Sequence, residues 1–145
     1  MRPIDELSEI INQINIRLMD KGGKPHAPAP ATQVAKVTEW IRSQTKKTDW
    51  LAEYECFLGL SDGLVLDDVV FYNTDPNDPL NHIVHANRIW QEEDWDGVYL
   101  FLGDSEKAWY AYDIKQDRFA ELEKLYGDQK MHFSSFTAML RNAVG

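Results

Sequence analysis

The apolar residues of this chain change rhythm near Gly63, and that change limits the folds open to it. Before it they recur every three or four positions, the repeat of helices that bury one face. After it they come in short aromatic or β-branched runs bounded by Gly, Asp, Asn and Pro, the texture of strands joined by turns. Ile4, Leu7, Ile11, Ile14 and Leu18 form the first helical stripe, with Asp5, Glu6 and Glu9 in its opening turns and Lys21-Gly22-Gly23 as its stop. The stripe is too short for a coiled-coil seam, so packing on the domain's own core is expected. A mobile N-terminal arm is the other reading, because residues 22 to 30 hold two glycines and three prolines and form a loop.

Val34, Val37 and Ile41, widened by Trp40, indicate a second helix. Leu51, Tyr54, Phe57 and Leu58 indicate a third, with Gly59 or Gly63 to end it. Strands are expected over Leu64 to Tyr72, Val98 to Leu102 and Ala108 to Tyr112, with Gly103 to Lys107 as a hairpin connection and Asp117 to Ala120 as an edge strand. Phe136, Met139, Leu140 and Ala143 close the chain at helical spacing behind Ser134-Ser135, an N-cap pair. The reading is one α+β domain over 1–145: an N-terminal helix at 1–21, a Pro/Gly-rich loop at 22–31, and a body at 32–145. Its sheet is expected to be mainly antiparallel, with N-terminal helices and a C-terminal helix packed on it. Phe57, Leu58, Phe101, Tyr110, Phe136 and Leu140 are the predicted centre of the core.

With 43% apolar residues in 145, such a core needs no disulfide or metal. The lone Cys56 sits in an apolar run and reads as a small hydrophobe in a reducing compartment. No run approaches the roughly 18 apolar residues of a membrane span, and the start lacks the apolar core of a signal peptide, so a cytoplasmic location without membrane contact is expected. The net charge of −9 repels DNA, RNA and anionic lipid, which disfavours nucleic acid as a direct partner. That charge is uneven: residues 1–47 hold eight bases and five acids (8 − 5 = +3), residues 48–145 seven bases and nineteen acids (7 − 19 = −12).

Little in the chain looks catalytic. Gly22-Gly23 lacks the Lys-Ser/Thr of a phosphate loop. His82 and His85 have ligand spacing but no second Cys or His pair, and Asn81 and Asn87 beside them suggest a solvated turn. Asp75, Asn77 and Asp78 resemble part of a calcium loop, yet Pro76 and Pro79 interrupt it. Asp67 and Asp68, read as neighbours within one strand, would point to opposite faces and could not share a proton. No cofactor, no metal and no catalytic residue are therefore expected.

The acids between Arg88 and Lys107 stand apart: Glu92, Glu93, Asp94, Asp96, Asp104 and Glu106, with no base among them. Carboxylates this close repel one another, so stability gives no reason for them, although a merely solvated face is the plain alternative. Trp90 and Trp95 lie inside the run, and aromatics beside charges are typical protein-binding anchors. The candidate contact set is Glu92, Glu93, Asp94 and Asp96 with Trp95 as apolar anchor, supported by Asp67, Asp68 and Asp104.

Three segments carry a resemblance to a known family. They are Tyr54-Glu55-Cys56-Phe57-Leu58 leading to Asp62-Gly63-Leu64, then Tyr99-Leu100-Phe101-Leu102-Gly103-Asp104 answered by Trp109-Tyr110-Ala111-Tyr112-Asp113, and finally Ser135-Phe136 with Met139-Leu140. In this order the chain, from about Trp50 to its end, resembles the SUKH superfamily and within it the YrhA-like branch. It departs from the wider pattern where Trp50-Leu51 replaces a leucine-proline and Asp62-Gly63 an asparagine-glycine. The resemblance implies an α+β domain without a known catalytic centre. Bacterial members commonly act as immunity proteins against toxins of contact-dependent or secreted polymorphic systems, often nucleases, while fungal relatives act in cell-wall regulation through protein contacts. The shared residues are structural, so the family supplies no binding site. The expectation is a cytoplasmic immunity protein, monomer or weak dimer, that binds a cognate toxin through its acidic surface. An intracellular regulatory module with a non-toxin partner is the alternative, and an enzyme comes third.

Overall fold

Six strands lie side by side in the order in which the chain makes them, each antiparallel to its neighbour. The computed structural model describes residues 3–91 and 98–145. Along these run α1 (Pro3–Asp20), α2 (Ala31–Gln44), α3 (Leu51–Leu60), β1 (Leu64–Leu66), β2 (Val69–Phe71), α4 (Ile83–Gln91), β3 (Tyr99–Asp104), β4 (Ala108–Asp113), β5 (Arg118–Glu123), β6 (Gln129–Phe133) and α5 (Phe136–Val144). This is the expected α+β fold.

The core is aromatic because alternate residues of the central strands deliver rings to one face. Phe71, Tyr110, Tyr112 and Phe119 meet Tyr54 and Phe57 of α3 and Phe136 of α5 there. Phe136 is fully enclosed, with ring centroids 5.1 Å from Phe57, 5.2 Å from Tyr54 and 5.9 Å from Phe71. All six predicted core residues are buried. Ser135 caps α5, its Oγ accepting from the Ala138 amide at 3.1 Å. Gly63, at φ +66°, leads from the end of α3 into β1 where only glycine fits, since a Cβ there would stand 2.5 Å from the Phe71 carbonyl oxygen.

Helix α1 belongs to this core rather than to a free arm. Leu7, Ile10, Ile11 and Ile14 are buried, Arg141 of α5 pairs with Glu6 at 2.9 Å, and Arg17 donates to the Val144 carbonyl at 2.7 Å. The Pro/Gly-rich loop is tied down as well. The Ala29 amide donates to Leu58 O and the Asp62 amide to Ala27 O, each at 2.8 Å.

His26 in that loop accepts the Val65 amide on Nε2, and His82 accepts the Val84 amide on Nδ1 at the start of α4. Both acceptors require a neutral ring. Burial holds both histidines below the ordinary value of about 6.5. The unfolded chain therefore takes up these protons first as pH falls. Their contribution is complete above about pH 6.5 and disappears as pH drops through the folded values. Denaturant midpoints measured from pH 7.5 to 5 are expected to fall, with both rings titrating below 6.5 by NMR. A midpoint that rises in that window, or rings that titrate above 6.5, would contradict this.

Three local readings are corrected. Leu64 to Tyr72 is not one strand but the hairpin β1–β2, turned by Asp67-Asp68 with Asp67 at φ +55°. The two acids thus sit in a two-residue turn and not on opposite faces of a strand. Asn81 lies in a half-buried turn, but Asn87 does not share it: Asn87 is fully buried in α4. Its side-chain amide donates to Ile83 O and Phe101 O, each at 2.8 Å, and its Oδ1 accepts the Phe101 amide at 2.7 Å. Beyond Tyr72, whose amide bonds Leu102 O, β2 no longer pairs with β3, and Asn87 supplies the missing donor and acceptor. Finally, Gln129–Phe133 forms the edge strand β6, where no strand was expected.

Candidate functional site

The β1–β2 and β3–β4 turns emerge at the same end of the sheet because β1 to β4 run up and down in sequence order. There Asp68 Oδ2 accepts the Glu106 amide at 3.1 Å, joining the two turns. Val70 pairs with Asp104 in the adjoining strands. The structure thus gathers Asp67, Asp68 and Asp104, the three supporting acids of the sequence reading, and adds Glu106 to them.

These carboxylates are not equivalent. Lys21 hydrogen-bonds Asp67, with Arg17 3.6 Å away, and the two cations hold its carboxyl below the usual range. Asp104 pairs with Lys124 at 2.6 Å, with both side chains mostly covered. Asp68 and Glu106 are exposed and make no salt bridge among the described residues. Two of the four are therefore committed internally, and two are open to a partner. The Lys21–Asp67 contact also means that removal of Lys21 frees an acid at this surface.

Trp90, weighed with Trp95 as an anchor, has a packing role. Its Nε1 donates to the Tyr72 hydroxyl at 3.0 Å, its ring meets Trp109 edge-on at 5.3 Å, and the Lys124 ammonium lies 5.3 Å from its centroid. Burial, and then the negative Asp104 nearby, push the Tyr72 hydroxyl well above its usual range, so it stays protonated. The last turn of α4 is in this way fixed against the top of β4. Glu92, Glu93, Asp94, Trp95 and Asp96 lie outside the described residues. They run in sequence from Gln91, at the end of α4, to Val98, whose carbonyl accepts the Ile114 amide at 3.1 Å near the β4–β5 turn.

The other candidates have structural duties. Asp78 accepts the amides of Leu80 and Asn81 and the side-chain amide of Asn73, which first of all holds its carboxyl low. Asp75 accepts the Asn77 amide in the same loop. Cys56 is half-buried against the core. Among the described residues no group of three or more His, Cys, Asp and Glu side chains is placed to hold a metal ion, and no helix is long and apolar enough to cross a membrane. Lys124 was missed by sequence reasoning. A lone base behind an acid-rich strand carries no signal that it will fold back onto Asp104 and two tryptophans.

Compared with known proteins, the chain matches no family model and no curated sequence.

Proposed function

We propose that this chain is an immunity-type binding protein of the SUKH kind, acting in the cytoplasm by covering the basic surface of a toxin domain. The observation that supports the reading most is the exposed Asp68 and Glu106 on adjoining turns, neither in a salt bridge among the described residues, in a sheet-bearing part whose charge is −12 by sequence. An enzyme that acts on nucleic acid must present positive surface to phosphates. A rigid acidic face can occupy that surface and speed the encounter by electrostatic steering.

The test is co-expression with the toxic domain encoded beside this chain's gene, scored by growth, with association rates measured on the purified pair. Reversing Asp68 and Glu106 together to lysine is expected to slow association about tenfold and to flatten its salt dependence. Alanine at Glu92, Glu93, Asp94 and Asp96 together is expected to weaken protection. If growth rescue and affinity survive both sets of changes, the acidic face is only a solvated surface.

A further inference from the structure

A second acidic feature lies at the opposite end of the sheet, where the β4–β5 turn approaches the start of α3. A hollow of about 660 Å³ opens there, walled by Trp50, Tyr112 and Phe119 and bordered by Asp49, Glu53 and Asp117. Its shape is built by the core. The Trp50 ring lies 4.9 Å from Tyr112 at 34° and meets Phe119 edge-on at 5.5 Å, while its Nε1 donates to Lys47 O at 3.2 Å. The indole is therefore pinned on one side and half-exposed on the other. Asp117 is set by its turn, at φ +54°, and its Oδ1 accepts the Tyr112 hydroxyl. Its Oδ2 lies 3.9 Å from the exposed Lys47 ammonium, a loose ion pair. One Glu53 oxygen accepts the Thr137 amide at 3.0 Å.

We propose that this hollow receives an arginine side chain projecting from a protein partner. Three carboxylates line it and no basic side chain does among the described residues, so an apolar occupant would strip water from their remaining oxygen lone pairs at a cost it cannot return. A cation is favoured instead. The flat aromatic wall selects among cations: a guanidinium stacks on an indole face and forks to a carboxylate, whereas an ammonium is a compact, strongly hydrated point charge. The choice of a protein as the source rests on the binding-protein reading above. The pocket chemistry itself does not.

The experiment uses the labelled full chain and needs no toxin. Two-dimensional amide and indole spectra are followed while a blocked Gly-Arg-Gly peptide is added, beside its citrulline isostere and a Gly-Lys-Gly peptide. The Trp50 indole signal is expected to shift saturably with the arginine peptide, with a Kd on the order of 1 mM, at least about threefold weaker with lysine and not at all with citrulline. Asp117→Asn keeps the turn, because asparagine tolerates left-handed backbone, and together with Asp49→Asn should weaken binding about fivefold. No saturable shift up to about 10 mM, an equal response to citrulline, or unchanged binding by the double variant would each overturn the proposal. A positive titration beside failed growth rescue would keep the pocket and remove the toxin reading; the reverse result would remove the pocket alone.

Discussion

Replacing Phe136 by alanine is expected to lower stability by about 4 kcal/mol, through the lost transfer energy of the ring plus the cavity left behind. The upper part of the usual range applies because the site cannot collapse. Phe136 is fully enclosed, and the rings around it come from α3, β2 and β5, which are held apart by the sheet's hydrogen bonds and by their own packing. Urea unfolding should show a lower midpoint with an unchanged slope, the sign of altered stability without a changed denatured state. A near-native midpoint would mean that Phe136 does not sit at the centre of the core.

Asn87→Leu is expected to cost about 3 kcal/mol, even though leucine has asparagine's branched outline and is far more at home in a core. Asn87 supplies an acceptor to the Phe101 amide and a donor to the Phe101 carbonyl, both inside the protein. Taking away bonds from buried groups costs about 1 to 3 kcal/mol each, against a smaller gain from the added apolar surface. The readout is specific: hydrogen exchange at the Phe101 amide should accelerate well beyond that of the neighbouring strand amides. If Asn87→Leu is neutral or stabilising, the side chain is not closing the edge of β3.

Two of the three corrected readings have one physical source, which is that polar residues were taken as solvent-facing. Ile83, Ala86, Asn87 and Trp90 have helical spacing, but with Asn87 counted as polar the stripe loses its middle and α4 disappears. Asn87 faces inward because β3 offers it a backbone edge to bond, a fact that exists only in three dimensions. Strand β6 was missed for a related reason. Gln129, Lys130 and His132 are acceptable on an edge exposed to water, where no apolar alternation is demanded. The helices α1, α2, α3 and α5 were legible because each buries a stripe of large aliphatic or aromatic groups against a single core. Of the candidate contact residues, Asp67, Asp68 and Asp104 were legible only as supporting charges; that two turns bring them to one end of the sheet was not. The hollow at Trp50 left no trace in sequence, since its walls come from positions 50, 112 and 119.

The neighbour-to-neighbour strand order bears on how quickly the chain can find its fold. Every hairpin but β2–β3 closes across a few residues, and a short loop costs little chain entropy to close. The wide exception is bridged by α4, itself a local structure that Asn87 then fastens to β3. Most of the sheet can therefore zip together from nearby segments, and the long search is left to the seam where Glu6 and Arg17 of α1 meet Arg141 and Val144 of α5. Speed of folding in this molecule is thus governed at the helical seam, and because Arg17 there also lies 3.6 Å from Asp67, the acidic end of the sheet takes its final form only once that search has ended.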